Sequence, residues 1–215
     1  MSELLGRGLV EYWGSGARTY PPGLAEMVDY WFEWHAIKIV ISVLLTVVLG
    51  LLAATLWRRS LAAGVGYVVT AATTTVLSLF SVFVAVLNIQ STVAPVIALL
   101  PMLSADNADG RAAQSLIENG VQSGDTRPPL LELLTQVEHY NWAVIVATAV
   151  VIAVVGTGTV IAFRRYGSTD GAHRRMFVIL GSLGTVMMIA MALLFVAAVV
   201  AIVDPGAALL GAVGL

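Results

Sequence analysis

Four apolar runs, 36–57, 63–88, 142–163 and 176–203, limit this chain to one class of fold. About 20 consecutive apolar residues are needed to cross the hydrocarbon of a bilayer, and each run is long enough. Lys38 is the one charged residue within them. Charged residues make up only 11% of the chain, against roughly 25% in a soluble domain. Mean hydropathy is +0.91, so a soluble fold is excluded in practice. The second and fourth runs exceed the span and are expected to tilt or project beyond the lipid. There is no cysteine, which removes disulfides, thiolate metal sites and thiol nucleophiles together.

The runs belong to a longer repetition. Leu9-Val10-Glu11, Thr19-Tyr20-Pro21-Pro22, Trp34 and an apolar run ending at Arg58-Arg59 form one series. Leu116-Ile117-Glu118, Thr126-Arg127-Pro128-Pro129, Trp142 and a run ending at Arg164-Arg165 form a second, about 107 residues later. A further long run follows each arginine pair, closing at Asn88 and at Asp204. The sequence thus predicts an all-α integral membrane protein, a four-transmembrane-helix bundle from two tandem repeats, each an amphipathic arm plus a helical hairpin. Repeat 1 covers 1–107: an arm 1–35, spans 36–57 and 63–88, and an outer extension 89–107. Repeat 2 covers 108–215: an arm 108–141, spans 142–163 and 176–203, and an outer tail 204–215. Two spans per copy make the repeats parallel, related by an axis along the membrane normal. Inverted halves of the kind many transporters use are not expected.

Charge sets the expected orientation. Arg58, Arg59, Arg164, Arg165, Arg174 and Arg175 lie in the two hairpin turns with Asp170 as their sole acid, a net of +5. The rest of the chain carries five basic and twelve acidic residues, a net of −7. Short loops rich in arginine stay cytoplasmic, which predicts N-out and C-out termini in the cell membrane. The first thirteen residues lack the apolar stretch of a cleavable signal, so the amino-terminal tail is expected to cross unaided. Abundant Ala, Val, Gly and Arg with scarce Lys match coding by a GC-rich bacterial genome.

In the first arm, Leu24, Met27, Val28, Trp31, Phe32 and His35 recur at helical spacing, with Glu26, Asp29, Tyr30 and Glu33 opposite. The prolines before it suit a first turn. Leu130, Leu131, Leu133, Leu134 and Val137 form a broader face in the second arm, with Glu132, Thr135, Gln136 and Glu138 opposite. Tyr30, Trp31, Trp34, Tyr140 and Trp142 fall at headgroup depth. Such a helix lies on the outer leaflet, covers the bundle as a lid, or docks a partner. Its polar face is acidic, unlike the basic face of helices drawn to anionic lipid, which favours protein contact or packing. Met27, Trp31, Trp34, Leu131, Leu134 and Trp142 are the expected contact residues. Of the connecting segments, 91–104 is expected to continue the second span and bend at Pro95 and Pro101. A short helix is expected over 113–119, a flexible loop over 120–126 and a packed tail over 205–215.

Three groups of polar residues are candidates for chemistry. His35 and His139 stand at the outer ends of the first and third spans with Glu33 and Glu138 beside them, a donor set suited to a divalent metal. No tight ligand spacing accompanies them, so polar caps beside tryptophans are the competing reading. His173 falls in the arginine-rich turn, and the lack of a histidine at mid-membrane depth argues against a haem. Lys38 and Asp204 suggest a snorkelling anchor and its counter-ion, with ion handling as the alternative. Thr70, Thr74, Ser78 and Ser81 form a hydroxyl stripe that lines a path or joins helices. Gly64, Gly66, Gly156, Gly158, Gly181 and Gly184 allow close helix approach, and Met187, Met188 and Met191 suit core filling. No phosphate loop, metalloprotease signature or catalytic triad order is present.

The sequence therefore predicts a non-enzymatic accessory, scaffold or assembly subunit that presents its arms to partner membrane or extracytoplasmic proteins. A small oligomeric channel or transporter component is the alternative, and a metal or redox subunit using His35 and His139 the weaker one. Membrane lipid and other membrane proteins, or further copies, are the expected partners. Neither nucleic acid nor a cofactor is expected.

Overall fold

Proline fixes φ near the helical value and lacks the amide a helix leaves unpaired at its start. Two long helices accordingly begin at prolines. In the computed structural model, which describes residues 2–63, 65–169 and 171–215, α1 is Ser2–Ser15 and α2 Pro22–Ala63. Helix α3 is Val65–Val93, and α4 Pro95–Leu99 leads into a 3-10 turn, Leu100–Met102. Helix α5 is Ala108–Ser123, α6 Pro128–Tyr166, α7 Gly171–Val203 and α8 Pro205–Ala212. Every element among the described residues is helical. Helices α2, α3, α6 and α7 are each long and apolar enough to cross a membrane, so the chain is a multi-pass membrane protein. Met1 of the first arm, Gly64 of the small-residue set and Asp170 of the second turn lie outside the described residues.

Three expectations change. The arms are not separate helices lying along a leaflet, because α2 and α6 run without a break from Pro22 and Pro128 through the apolar runs. Nothing between 23 and 35 interrupts the backbone hydrogen-bond ladder, and aromatic and acidic residues there suit a helix as well as Leu and Val do. The connection 58–62 is helical too, as are Arg164 and Arg165 at the end of α6 and Arg174 and Arg175 at the start of α7. Segment 120–123 belongs to α5 rather than to a loop. That helix is closed by Gly124 in the left-handed conformation, φ +64°, and opened by Asn107, whose side chain accepts from the Gly110 amide at 2.7 Å. Helix α1, within the segment expected as the first arm, carries Leu5, Leu9, Tyr12 and Trp13 on one buried face.

The chain divides into two units. The first comprises residues 1–36, 89–144 and 197–215. Its core joins Leu5, Leu9 and Tyr12 of α1 to Leu24 of α2 and Ile117 of α5. Leu130, Leu133 and Val137 of α6 and Leu209 of α8 close it, together with Val96 and Leu99. Burying each such side chain contributes about 1.5–3 kcal/mol, so residues far apart in sequence make one cooperative core. Helices α1 and α5 run side by side in the same direction. The Gly6 face meets the Asp109–Gly110 backbone, and the Gly120 face meets the Trp13 ring. A methyl group at either glycine would stand 2.7 Å from its neighbour, so both positions exist to let helices touch. Helix α8 packs against α5 in the opposite sense, with Gly206 beside Val121 and Gln114 donating to the Val213 carbonyl at 2.8 Å.

The second unit comprises residues 37–88 and 145–196. Its outward side chains are apolar: Leu51 is 66% exposed, Val154 68% and Leu193 67%. Several of its buried positions hold hydroxyls, among them Ser42, Thr74, Ser81, Thr148 and Thr159. A water-facing bundle would reverse this pattern, since large apolar surfaces are not left in water. Helices α2 and α3 are tied by Trp57 Nε1 donating to Thr75 Oγ1 at 3.0 Å and by Ser78 Oγ donating to the Thr46 carbonyl at 3.2 Å. Met187 and Met191 are buried with Val86, in the packing role expected of them.

Candidate functional site

The most developed polar surface belongs to the first unit. It contains twelve of the chain's acidic residues and four arginines, a net of −8, whereas the second unit carries seven basic residues and one acid. Arg7 is held by Glu3 at 2.9 Å and Asp109 at 3.3 Å, and Arg127 by Asp125 at 2.6 Å, so local acids already engage two of the four arginines. Between α1 and the start of α2, which run in opposite directions, a cavity of about 440 Å³ opens. Gly8 and Gly23 line it, Leu4, Met27 and Tyr30 supply its apolar wall, and Arg7, Glu11 and Glu26 its charged rim. Leu4 and Tyr30 are each 59% exposed, which leaves an apolar strip beside the Glu11 and Glu26 carboxylates.

Beyond the far end of α1 the chain turns through an aromatic cluster. Tyr12 and Tyr20 meet edge to face at 5.0 Å, and Tyr12 donates to the Arg18 carbonyl at 3.3 Å. Burial, with a smaller contribution from the Glu132 charge, pushes the Tyr12 hydroxyl up to about 12. Burial acts further on Tyr20, raising it above the ordinary tyrosine value with help from Tyr12 and Glu132. Across the unit, the Arg127 guanidinium lies 5.4 Å from the Trp13 ring centre. The Arg127 amide and side chain hold the Asp125 carboxyl below the usual carboxylate range.

The residues expected at a partner surface separate into two groups. Met27, Trp31 and Leu134 pack against the core of the first unit, so they hold the arms to the molecule itself. Trp34, Leu131 and Trp142 are exposed. Spacing alone identified the apolar stripe but not what covers it. The covering helix α1 was in fact readable from Leu5, Leu9, Tyr12 and Trp13 at helical intervals.

The two histidines are not brought into one site. His35 is buried, with Nδ1 2.8 Å from the Trp31 carbonyl and its ring 4.5 Å from the Trp31 indole. A carbonyl can only accept, so Nδ1 carries the proton. His139 and Glu138 are exposed on α6, and Glu33 is exposed on α2. On α6, Asn141 is buried and donates to the Val137 carbonyl at 2.8 Å, four residues back, as His35 does to Trp31. Among the described residues no group of three histidine or carboxylate side chains converges on a metal position.

Comparison with protein-family models, curated proteins and solved structures finds no match.

The intramembrane candidates are mostly occupied by their own helices. Thr70 donates to the Gly66 carbonyl at 3.0 Å, Thr74 to Thr70 at 2.8 Å and Ser81 to Leu77 at 3.0 Å, while Ser78 crosses to α2. Asp204 caps α8, accepting from the Ala207 amide at 2.9 Å. His173 is exposed in the first turn of α7. Lys38 stands at one end of a groove between α2 and α3.

Proposed function

We propose that this chain is a non-enzymatic subunit of a bacterial cell membrane, a scaffold or assembly partner that offers its first unit to other membrane or extracytoplasmic proteins. The observation that carries this reading is the first unit itself, a self-packed helical module with a net charge of −8 and an apolar groove edged by Glu11 and Glu26. A partner with basic residues flanking an apolar anchor complements it, and charge of this kind chiefly governs partner choice and encounter rate. The tandem-repeat reading is supported by element order, since a short helix, two long ones and a short one occur twice. It is also supported by the matching breaks at Ala94 (φ −135°, ψ 75°) and Asp204 (φ −133°, ψ 83°), each just before a proline. Outside termini follow from the arginines gathered at the ends of α2 and α6 and the start of α7.

Two experiments test the reading. Purification in mild detergent at native expression, compared with a Glu11→Lys/Glu26→Lys variant, should give stoichiometric partners with the first and loss of them with the second. A native chain that purifies alone refutes the scaffold role. For orientation, the cysteine-free chain accepts Asp125→Cys and Arg165→Cys singly. An impermeant maleimide on intact cells should label the first and spare the second, and the reverse pattern overturns the topology.

A further inference from the structure

The groove between α2 and α3 lies wholly in the second unit and has a volume of about 550 Å³. Ile41, Leu45, Leu49, Leu77, Phe80 and Val84 make its walls. Ser42 and Ser81, both buried, are small enough to let the wall recede there. It opens sideways, and Leu45 and Phe80 on its walls are 46% and 61% exposed. Among its described lining residues the one that carries charge is Lys38, at the amino-terminal end of the stretch that α2 contributes.

Two quantities identify an occupant. From Lys38 to Leu49 the helix advances about 17 Å at 1.5 Å per residue. One leaflet of a hydrocarbon core about 30 Å thick is about 15 Å deep. The groove therefore has the depth of a single acyl chain, with an ammonium where that chain's headgroup begins. A helix from another protein would not need its one polar contact at that level, whereas a lipid phosphate lies there by construction. We propose that this groove is a binding site for one phospholipid with an anionic headgroup, its acyl chain against Leu45 and Leu77 and its phosphate at Lys38.

The test uses the full chain in mild detergent, titrated with phosphatidylglycerol or phosphatidylcholine and read by native mass spectrometry. The expected result is one tightly retained phosphatidylglycerol per chain, preferred over phosphatidylcholine. Lys38→Gln should reduce that preference about fivefold, the weight of one basic residue against an anionic surface, and Lys38→Arg should restore it. Leu45→Trp, at a half-exposed position where folding is not at stake, should fill the groove and abolish retention of the lipid. Equal binding of the two lipids, an unchanged preference in Lys38→Gln, or retention by Leu45→Trp overturns the proposal. So does a dimer mass that disappears with Leu45→Trp, since the groove would then hold a second copy.

Discussion

Replacing Gly6 with alanine sets two effects of known size against each other. In a helix interior, alanine is favoured over glycine by about 0.8–1.0 kcal/mol, so propensity alone predicts a more stable α1. The new methyl, however, would stand 2.7 Å from both the Asp109 carbonyl carbon and the Gly110 amide nitrogen, and 2.9 Å from the Asp109 oxygen. Optimal carbon contacts lie near 3.5–4.0 Å, and overpacking of this kind costs about 1–3 kcal/mol. The atoms it meets are backbone in the first turn of α5, pinned by the Asn107 cap, so no side chain can rotate aside. Steric cost wins, and Gly6→Ala should lose up to about 2 kcal/mol. Gly14, on the same helix with no neighbour within 4 Å, is the matched control. Gly14→Ala should gain up to about 1 kcal/mol. Reversible denaturation of the full chain in mild detergent, followed by tryptophan fluorescence, should order the three proteins Gly14→Ala, native, Gly6→Ala. A Gly6→Ala protein at or above native stability would show that α1 and α5 do not touch there.

Asp204→Ala should cost about 1 kcal/mol through loss of the α8 cap, and Asp204→Asn should retain most of it, both read as denaturant midpoints. Gly184→Ala would drive a methyl into the Thr159 hydroxyl, and adding Thr159→Ala should recover much of the loss, a coupling that a double-mutant cycle measures. Tyr12 and Tyr20 titrate later folded than unfolded, so their stabilisation is complete below pH 10 and declines as pH rises from 10 towards 12. Absorbance titration and unfolding over that range should move together, and a flat stability profile would contradict the buried tyrosine pair. The buried Tyr20 hydroxyl has no hydrogen-bond partner among the described residues, so Tyr20→Phe should be neutral or stabilising by up to about 1 kcal/mol.

The spans were legible because hydropathy needs no knowledge of neighbours, and the proline starts of α2 and α6 because proline acts locally. The fate of the arm faces was not, since Leu24 and Leu133 are covered by residues as distant as Leu5 and Leu209. Helix α1 has its apolar residues at helical intervals but carries Gly6, Gly8 and Gly14, which weaken helix propensity although two of the three serve tight packing. Pairing His35 with His139 looked natural in sequence. One helical residue turns a side chain by about 100°, so the small offset between His139 and Asn141 separates an exposed face from a buried one.

The prolines at 95 and 205 also bear on where lipid can reach. Neither offers an amide to the carbonyl four residues earlier, and an acceptor deprived of that bond is not left facing hydrocarbon. The carbonyls concerned are those of Ser91 and Ala201, so the oily slab ends by about residue 91 on α3 and about residue 201 on α7. At 33 residues, α7 is about 50 Å long, and only about 30 Å of it can be immersed. These two bends act as a waterline, and spin labels stepped along α7 should change from oxygen-rich to water-rich surroundings before they arrive at Asp204.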